Sequence, residues 1–283
     1  MKHKVLSLFT AAIIAGSSLT TTAQTLKVPA PSPTQTLKQN FALSEISIEY
    51  SRPGVKNRVI FGDLVPFGKI WRTGANASTK ITFGEDVNVE GKAIAAGTYA
   101  IYTIPNRDSW EILFYKDLKL GGSVSDYKAA DELLRFTVEA SALANKVEDL
   151  TIQVTDITPS TANIELSWDK TSVAFHVAAN IDAAIMKNIE TALVNDSRPY
   201  FQAANYYYEN DKDLNKALEW VNKAIEQNPQ FYIMHTKAKI QMKLKDYKGA
   251  IATAEKSLAM AKEAKSNDYV ALNEKLIAEA KKK

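Results

Sequence analysis

Along the first two thirds of the chain, hydrophobic and polar positions alternate. Ile46, Ile48 and Tyr50 are separated by Ser47 and Glu49, and Leu150, Ile152 and Val154 by Thr151 and Gln153. The same beat runs through Ile164, Leu166 and Trp168, and again through Val173, Phe175 and Val177. A period of two places one face of each strand in a core and the other in water. Gly91, Gly97, Pro105–Asn106 and Gly121–Gly122 supply turns between these runs. Only 126–134 carries a pattern that predicts a short helix. Residues 40–178 are therefore expected to form an antiparallel β-sandwich or open barrel.

After Asn180 the period lengthens to that of a helix. Ile181, Ile185, Ile189 and Leu193 share one stripe, and so do Tyr269, Leu272, Leu276 and Ala280, with Asn267 as the expected cap. Between them, ALEWVNKAIEQNP from Ala217 lies over AIATAEKSLAMAK from Ala250 at an offset of 33 residues. Small residues at 217, 224 and 250, with Pro229 closing the first unit, resemble a tetratricopeptide repeat of roughly 34 residues. Residues 181–283 are thus read as an all-α, tetratricopeptide-like region, which makes the chain α+β. Two readings of this region stand: a groove for a protein or peptide partner, or a helical pack that only extends the β domain. A two-repeat groove offers little of the ~800 Å² per partner that a stable interface needs. Of the consecutive Tyr206, Tyr207 and Tyr208, which splay around the helix, at least one is expected in the core.

The start of the chain reads differently. Lys2 and Lys4 precede an apolar run from Leu6 to Gly16, and small residues follow to Ala23. That layout predicts a cleavable export signal over 1–23, and the run is short of the ~20 residues that a membrane span needs. A soluble periplasmic or extracellular protein is expected. Residues 24–39, with prolines at 29, 31 and 33, read as an extended linker. The chain has no cysteine, so its stability in an oxidising compartment rests on its core. With 46% hydrophobic and 24% charged residues it has an ordinary globular composition. The formal charge is +3, and +1 once Lys2 and Lys4 are gone, so nucleic acid is not an expected partner.

Catalytic signatures are missing. Of three histidines, His3 falls in the signal, His176 on a strand and His235 in a helix, with no paired-ligand spacing. No metal and no cofactor are expected. ENDKDLN, 209–215, lacks the glycine and glutamate of a calcium loop, since Lys216 and Asn222 stand at those positions. It is read as the turn between paired helices. No nucleophile elbow and no phosphate-binding loop occurs.

What remains is the stretch 51–80. Its cations are Arg52, Lys56, Arg58, Lys69, Arg72 and Lys80, against a single acid, Asp63. Arginines beside glycine turns present planar donors to carboxylate or phosphate. Arg52, Lys56, Arg58, Arg72, Asn76 and Thr79 are accordingly the candidate ligand-binding residues, for an anionic or sugar-like molecule. The competing reading pairs Arg52 and Arg72 with carboxylates such as Asp63 or Asp131, as staples of the fold. A further alternative is a hydrolase acting on an envelope or carbohydrate-like substrate through an acid pair near Arg72.

SRPGVKNRVIFGDLVPFGKIWRTGANAST at 51–79, AGTYAIYTIP at 96–105, WEILF at 110–114 and LLRF at 133–136 are similar to the family called domain of unknown function 2911. The resemblance covers about 30–178. It implies an exported protein of a Gram-negative envelope, often with a helical tail of this kind, and no settled activity. It also implies that Arg52, Lys56, Arg58, Trp71, Arg72, Gly74 and Asn76 belong to the family pattern.

Overall fold

A computed structural model describes residues 28–194 and 199–283; the expected signal at 1–23 lies outside the described residues. Nine strands are described: β1 (Thr34–Phe41), β2 (Ser44–Ser51), β3 (Thr79–Phe83), β4 (Val87–Val89), β5 (Lys92–Ile94), β6 (Gly97–Pro105), β7 (Ser109–Tyr115), β8 (Glu132–Thr155) and β9 (Thr161–Ala179). They form one antiparallel system in the order β1-β2-β3-β6-β7-β8-β9-β4-β5. β8 is the corner of this system. Its first part, to Glu139, pairs with β7, and from Ala140 onward it pairs with β9, with register slips between Ala142 and Thr151. A bulged strand bends, and here the bend folds one leaf over the other. Phe114 of β7 and Phe136 of β8 meet Phe175 of β9 at ring distances of 5.9 and 5.6 Å, so the main core lies between the leaves.

Two local expectations fail. β1 begins at Thr34, inside the segment read as a linker, because alternation resumes once the prolines end and Leu37 packs against the core. The helix expected over 126–134 is a single 3-10 turn, Ala129–Asp131, followed at once by β8. Pairing with β7 decides there: Leu134 is buried opposite Phe114, whereas Leu133 stays half exposed. β6 departs from clean alternation for a related reason. Its second face is also covered, where Tyr102 joins Tyr115, Ala100 and Leu113 beneath Tyr127 and Leu120.

Six helices follow: α1 (Asp182–Val194), α2 (Tyr200–Glu209), α3 (Leu214–Gln227), α4 (Phe231–Lys243), α5 (Tyr247–Glu263) and α6 (Asn267–Ala280). Each packs on its neighbour from α2 to α6. Ala217, Ala224, Ala250 and Ala254 are buried where these helices cross, because small side chains let backbones approach. The 33-residue offset recurs in the caps. Asp213 accepts from Asn215 N and Lys216 N at the start of α3, and Asp246 accepts from Gly249 N at the start of α5. A Cβ on Gly249 would press on the Asp246 carboxylate and the Gln241 amide, which are bonded to each other at this cap. α6 starts one residue earlier than its stripe implies, so Ser266, not Asn267, precedes it. Tyr207 is the buried member of the tyrosine run and meets Trp220 edge-on at 4.7 Å. Ile185 of α1 packs against both the β core and the helical core and joins the two.

Candidate functional site

The end of β2 and the residues after it lie against the second half of β8. Val55 N donates to Glu148 O at 2.8 Å, and Leu150 N donates to Pro53 O at 3.0 Å. Arg52 follows this line of backbone: Nε donates to Leu150 O and Nη2 to Thr151 Oγ1, each at 2.9 Å. Tyr50 reaches the next residue, its hydroxyl accepting from Ile152 N at 2.9 Å. Lys56 and Asn57 then turn the chain through left-handed conformations, with φ of 49° and 58°. The Lys56 amide is held by Glu148 Oε1 at 2.7 Å and its ammonium by Pro31 O at 3.3 Å. That amide, first, and then Lys146 keep the Glu148 carboxyl below its ordinary range. Arg58 folds back on its own turn, donating to Val55 O and Gly54 O at 3.1 and 2.6 Å. All three cations are consumed by backbone or hydroxyl oxygens. The expected pairing with carboxylates is not what holds them: among the described residues neither Arg52 nor Arg72 makes an ion pair, and Asp131 accepts from the Tyr115 hydroxyl instead.

Residues 71–79 form a tight loop pinned to β6 by reciprocal bonds between Trp71 and Thr103, at 2.7 and 2.9 Å. Thr73, Gly74 and Asn76 all have positive φ, and a Cβ on Gly74 would sit 3.0 Å from Ser51 O. Trp71 donates to Gly74 O at 3.0 Å and stacks on Trp168 at 5.7 Å. Phe61 and Trp110 complete this aromatic group, edge to face with each other at 4.9 Å. Thr79 is buried and closes the loop by donating to Thr73 O. Asn76 Nδ2 ties the loop to Ser32 O and Ser51 Oγ at 3.2 and 3.3 Å. Four candidates, Arg52, Arg58, Asn76 and Thr79, thus spend their polar groups on the fold, and Lys56 largely does.

Arg72 is the exception. Among the described residues its guanidinium makes one hydrogen bond, from Nη1 to Gly122 O at 2.7 Å, and its Nε is buried with no partner. Gly122 has to be glycine for this contact, since a Cβ there would overlap the Asn76 carbonyl. Beside Arg72 opens a cavity of about 300 Å³. Leu64, Pro66, Ile70 and Val124 form apolar walls, Lys69 joins Arg72 as the second cation, and no Asp or Glu lines the cavity. Leu64 and Val124 are 44% and 37% exposed at its rim. An arginine fork with unused donors, near a lysine and greasy walls, matches a small anion that carries an apolar part.

The acids of this domain gather elsewhere. Arg135 takes Glu132 with two bonds, at 2.9 and 2.7 Å, and Glu111 at 2.7 Å, while the Tyr127 hydroxyl donates to Glu132 at 3.0 Å. Arg135, more than any other neighbour, holds the Glu132 carboxyl below its ordinary value. A general acid needs the opposite shift, so the acid-pair reading finds no acid at Arg72 and a locked pair away from it. Sequence reasoning missed this network and the Phe61–Trp71–Trp110–Trp168 group. Both depend on strand register: Arg135 lies opposite Leu113, next to Glu111 on the neighbouring strand, which alternation alone does not reveal. His176 is exposed and shares a 3.1 Å hydrogen bond with Asn163.

Compared with known families, the chain matches a sequence model described as "Protein of unknown function (DUF2911)" over residues 32–177, a span from just before β1 into β9 that includes both arginine turns. The helices lie outside that match. No curated protein and no solved structure matches the chain.

Proposed function

The chain belongs to the DUF2911 family of proteins of unknown function, and from the site alone we propose that it is a non-enzymatic binding module of the cell envelope, its β domain taking a small amphipathic anion beside Arg72. The observation that carries this reading is the count of donors at Arg72. A buried guanidinium nitrogen without a partner costs free energy, about 1–3 kcal/mol. Nε itself presents no surface to the cavity, so a carboxylate or phosphate meets the Nη donors that Gly122 O leaves free and recovers Nε by turning the side chain toward itself. Export is supported by the N-terminal signal pattern. Among the described residues no helix is long and apolar enough to cross a membrane. The paired helices at a 33-residue offset support a tetratricopeptide-like tail that engages a protein partner.

The test is an amide-shift titration of the chain from Gln24 onward with hexanoate and hexyl phosphate, beside hexanol and inorganic phosphate. Saturable shifts confined to 64–72 and 122–124 are expected with the two amphipathic anions and not with hexanol. Arg72→Gln, which removes the charge and the guanidinium fork, is expected to abolish them. If millimolar amphipathic anion moves none of these amides, the site reading is wrong.

A further inference from the structure

We propose that the face shared by α2, α4 and α6 docks an acidic peptide segment in which carboxylates alternate with an apolar side chain. This deepens the reading of the tail as a partner-binding element. These three helices alternate with α3 and α5 along the chain, and a groove of about 370 Å³ opens among them. Tyr208 of α2, Lys239 and Lys243 of α4, and Leu272, Lys275 and Leu276 of α6 line it.

Charge comes first. Three ammonium groups gather here, with Glu279 as the one acid in the lining. Lys239 and Lys243 both approach the Tyr208 ring, their Nζ atoms 4.6 and 4.4 Å from its centre. Lys243 is held by Asp211 at 2.7 Å and by Tyr208 O at 2.9 Å. Lys239 and Lys275 have no carboxylate partner among the described residues. A protein carrying a formal charge of only +3 in all has therefore placed two unneutralised lysines across one groove, which selects an anionic occupant.

The apolar half is Leu272. It is 45% exposed, large, and lines the same groove as those lysines, one turn along α6 from the buried Leu276. An exposed leucine alone means little, but one set in a concave, cation-lined surface offers a pocket for a side chain.

The floor is rigid. His235, which also lines the groove, shares a 2.9 Å hydrogen bond with Asn273 Oδ1. Asn273 Nδ2 in turn donates to Ser257 Oγ and Tyr269 O, and Ser257 donates to Phe231 O. These bonds fix α4, α5 and α6 relative to one another, and the Lys243 bond to Tyr208 O ties α2 to them, so the groove exists before a partner arrives and little ordering cost falls on binding. Three helices at 8–10 Å spacing make a face about 20 Å wide, which roughly six residues of extended peptide span.

The experiment uses the full chain from Gln24 and three fluorescein-labelled probes: the peptide Asp-Leu-Glu-Leu-Asp-Leu, its Asn/Gln analogue, and a short oligothymidylate. Fluorescence anisotropy at low salt is expected to show saturable binding of the acidic peptide. The neutral analogue should bind about tenfold more weakly. Lys239→Ala with Lys275→Ala should lower affinity by a similar factor while the melting midpoint falls by no more than a few degrees, because Lys275 is exposed and Lys239 loses only its contact with the Tyr208 ring. Arg72→Gln should leave peptide binding as it is. Unchanged binding in the double lysine variant overturns the inference, as does tighter binding of oligothymidylate, which would make the groove a general polyanion surface. Binding of the neutral analogue as tight as the acidic one removes the acidic specificity but keeps a peptide-binding tail. Binding of no peptide at all removes both.

Discussion

Buried polar groups fare differently in the two halves of this molecule: the helices bond theirs, whereas the β domain bonds most and leaves a few without a partner among the described residues. Among the helices, His235, Ser257 and Asn273 are buried and bonded to one another or to backbone, and Gln241 is shared between Asp246 and Thr253. In the β domain, Arg72 Nε, Ser78 Oγ and Trp110 Nε1 are buried with no hydrogen-bond partner among the described residues, and the Trp110 ring meets Trp71 at 6.1 Å. A satisfied network specifies one packing and stabilises it. An unsatisfied donor costs stability, and it persists in a fold where something else uses it. The difference separates architecture from candidate site without any appeal to residue type, since Arg52 and Arg72 are the same side chain in similar turns.

The comparison breaks most visibly at Asn273. Asn273→Leu would leave the His235 ring without its partner and Ser257 Oγ without its donor in a closed core, and should cost about 3 kcal/mol, read from the urea midpoint. Adding His235→Leu should recover part of that loss, because removing both partners leaves fewer orphans than removing one. A loss below ~1 kcal/mol for Asn273→Leu would mean the network is decoration. Next comes Arg52→Ala, which unpairs Leu150 O and Thr151 Oγ1 at the contact between β2 and β8; about 2 kcal/mol is expected.

A smaller effect follows from pH. Burial, and then the Lys239 charge, hold His235 below its ordinary value of 6.5, against the opposing pull of its bond to Asn273. The unfolded chain therefore binds the proton first. Stability from the neutral ring is complete above that ordinary value and declines as pH falls through it toward the folded value. Urea midpoints from neutral pH downward should fall in this window for wild type, and His235→Phe should flatten the slope even while lowering the midpoint. Glu132, Glu148, Glu165 and Asp182 are all held low, so they stay ionised there and add nothing to the slope. A slope unchanged in His235→Phe would place the titration elsewhere.

How much of this was legible beforehand differs by scale. Alternation located β2 and β9 and helical stripes located α1 and α6, because local burial on one face writes itself into the sequence. It failed at 126–134, where pairing with β7 outweighs a helical pattern, and at Thr34, where three prolines masked the strand behind them. The candidate residues were found as a group through their charge, yet their roles were not. Whether an arginine faces Leu150 O or a cavity depends on residues roughly a hundred positions away for Arg52 and fifty for Arg72. Pairing of Arg52 and Arg72 with acids was the natural expectation because carboxylates are the strongest partners. The fold gives them carbonyls instead, and only after the loops close.

The smallest expected effect is the most informative. Arg72→Gln removes the bond to Gly122 O, because the glutamine amide ends near the position of Nε and stops short of that carbonyl. One bond to a half-buried loop carbonyl is lost, so the change in stability should be about 1 kcal/mol, half that of Arg52→Ala. Hexanoate binding should nonetheless vanish. If Arg72→Gln instead destabilises as strongly as Arg52→Ala, the two arginines are both staples and the cavity is a packing remnant. If stability holds and the anion still binds, Lys69 carries the charge and Arg72 only holds the Gly121–Gly122 loop. Stability retained with binding lost is the one combination that an unsatisfied donor at a site produces, and it is the combination a staple does not.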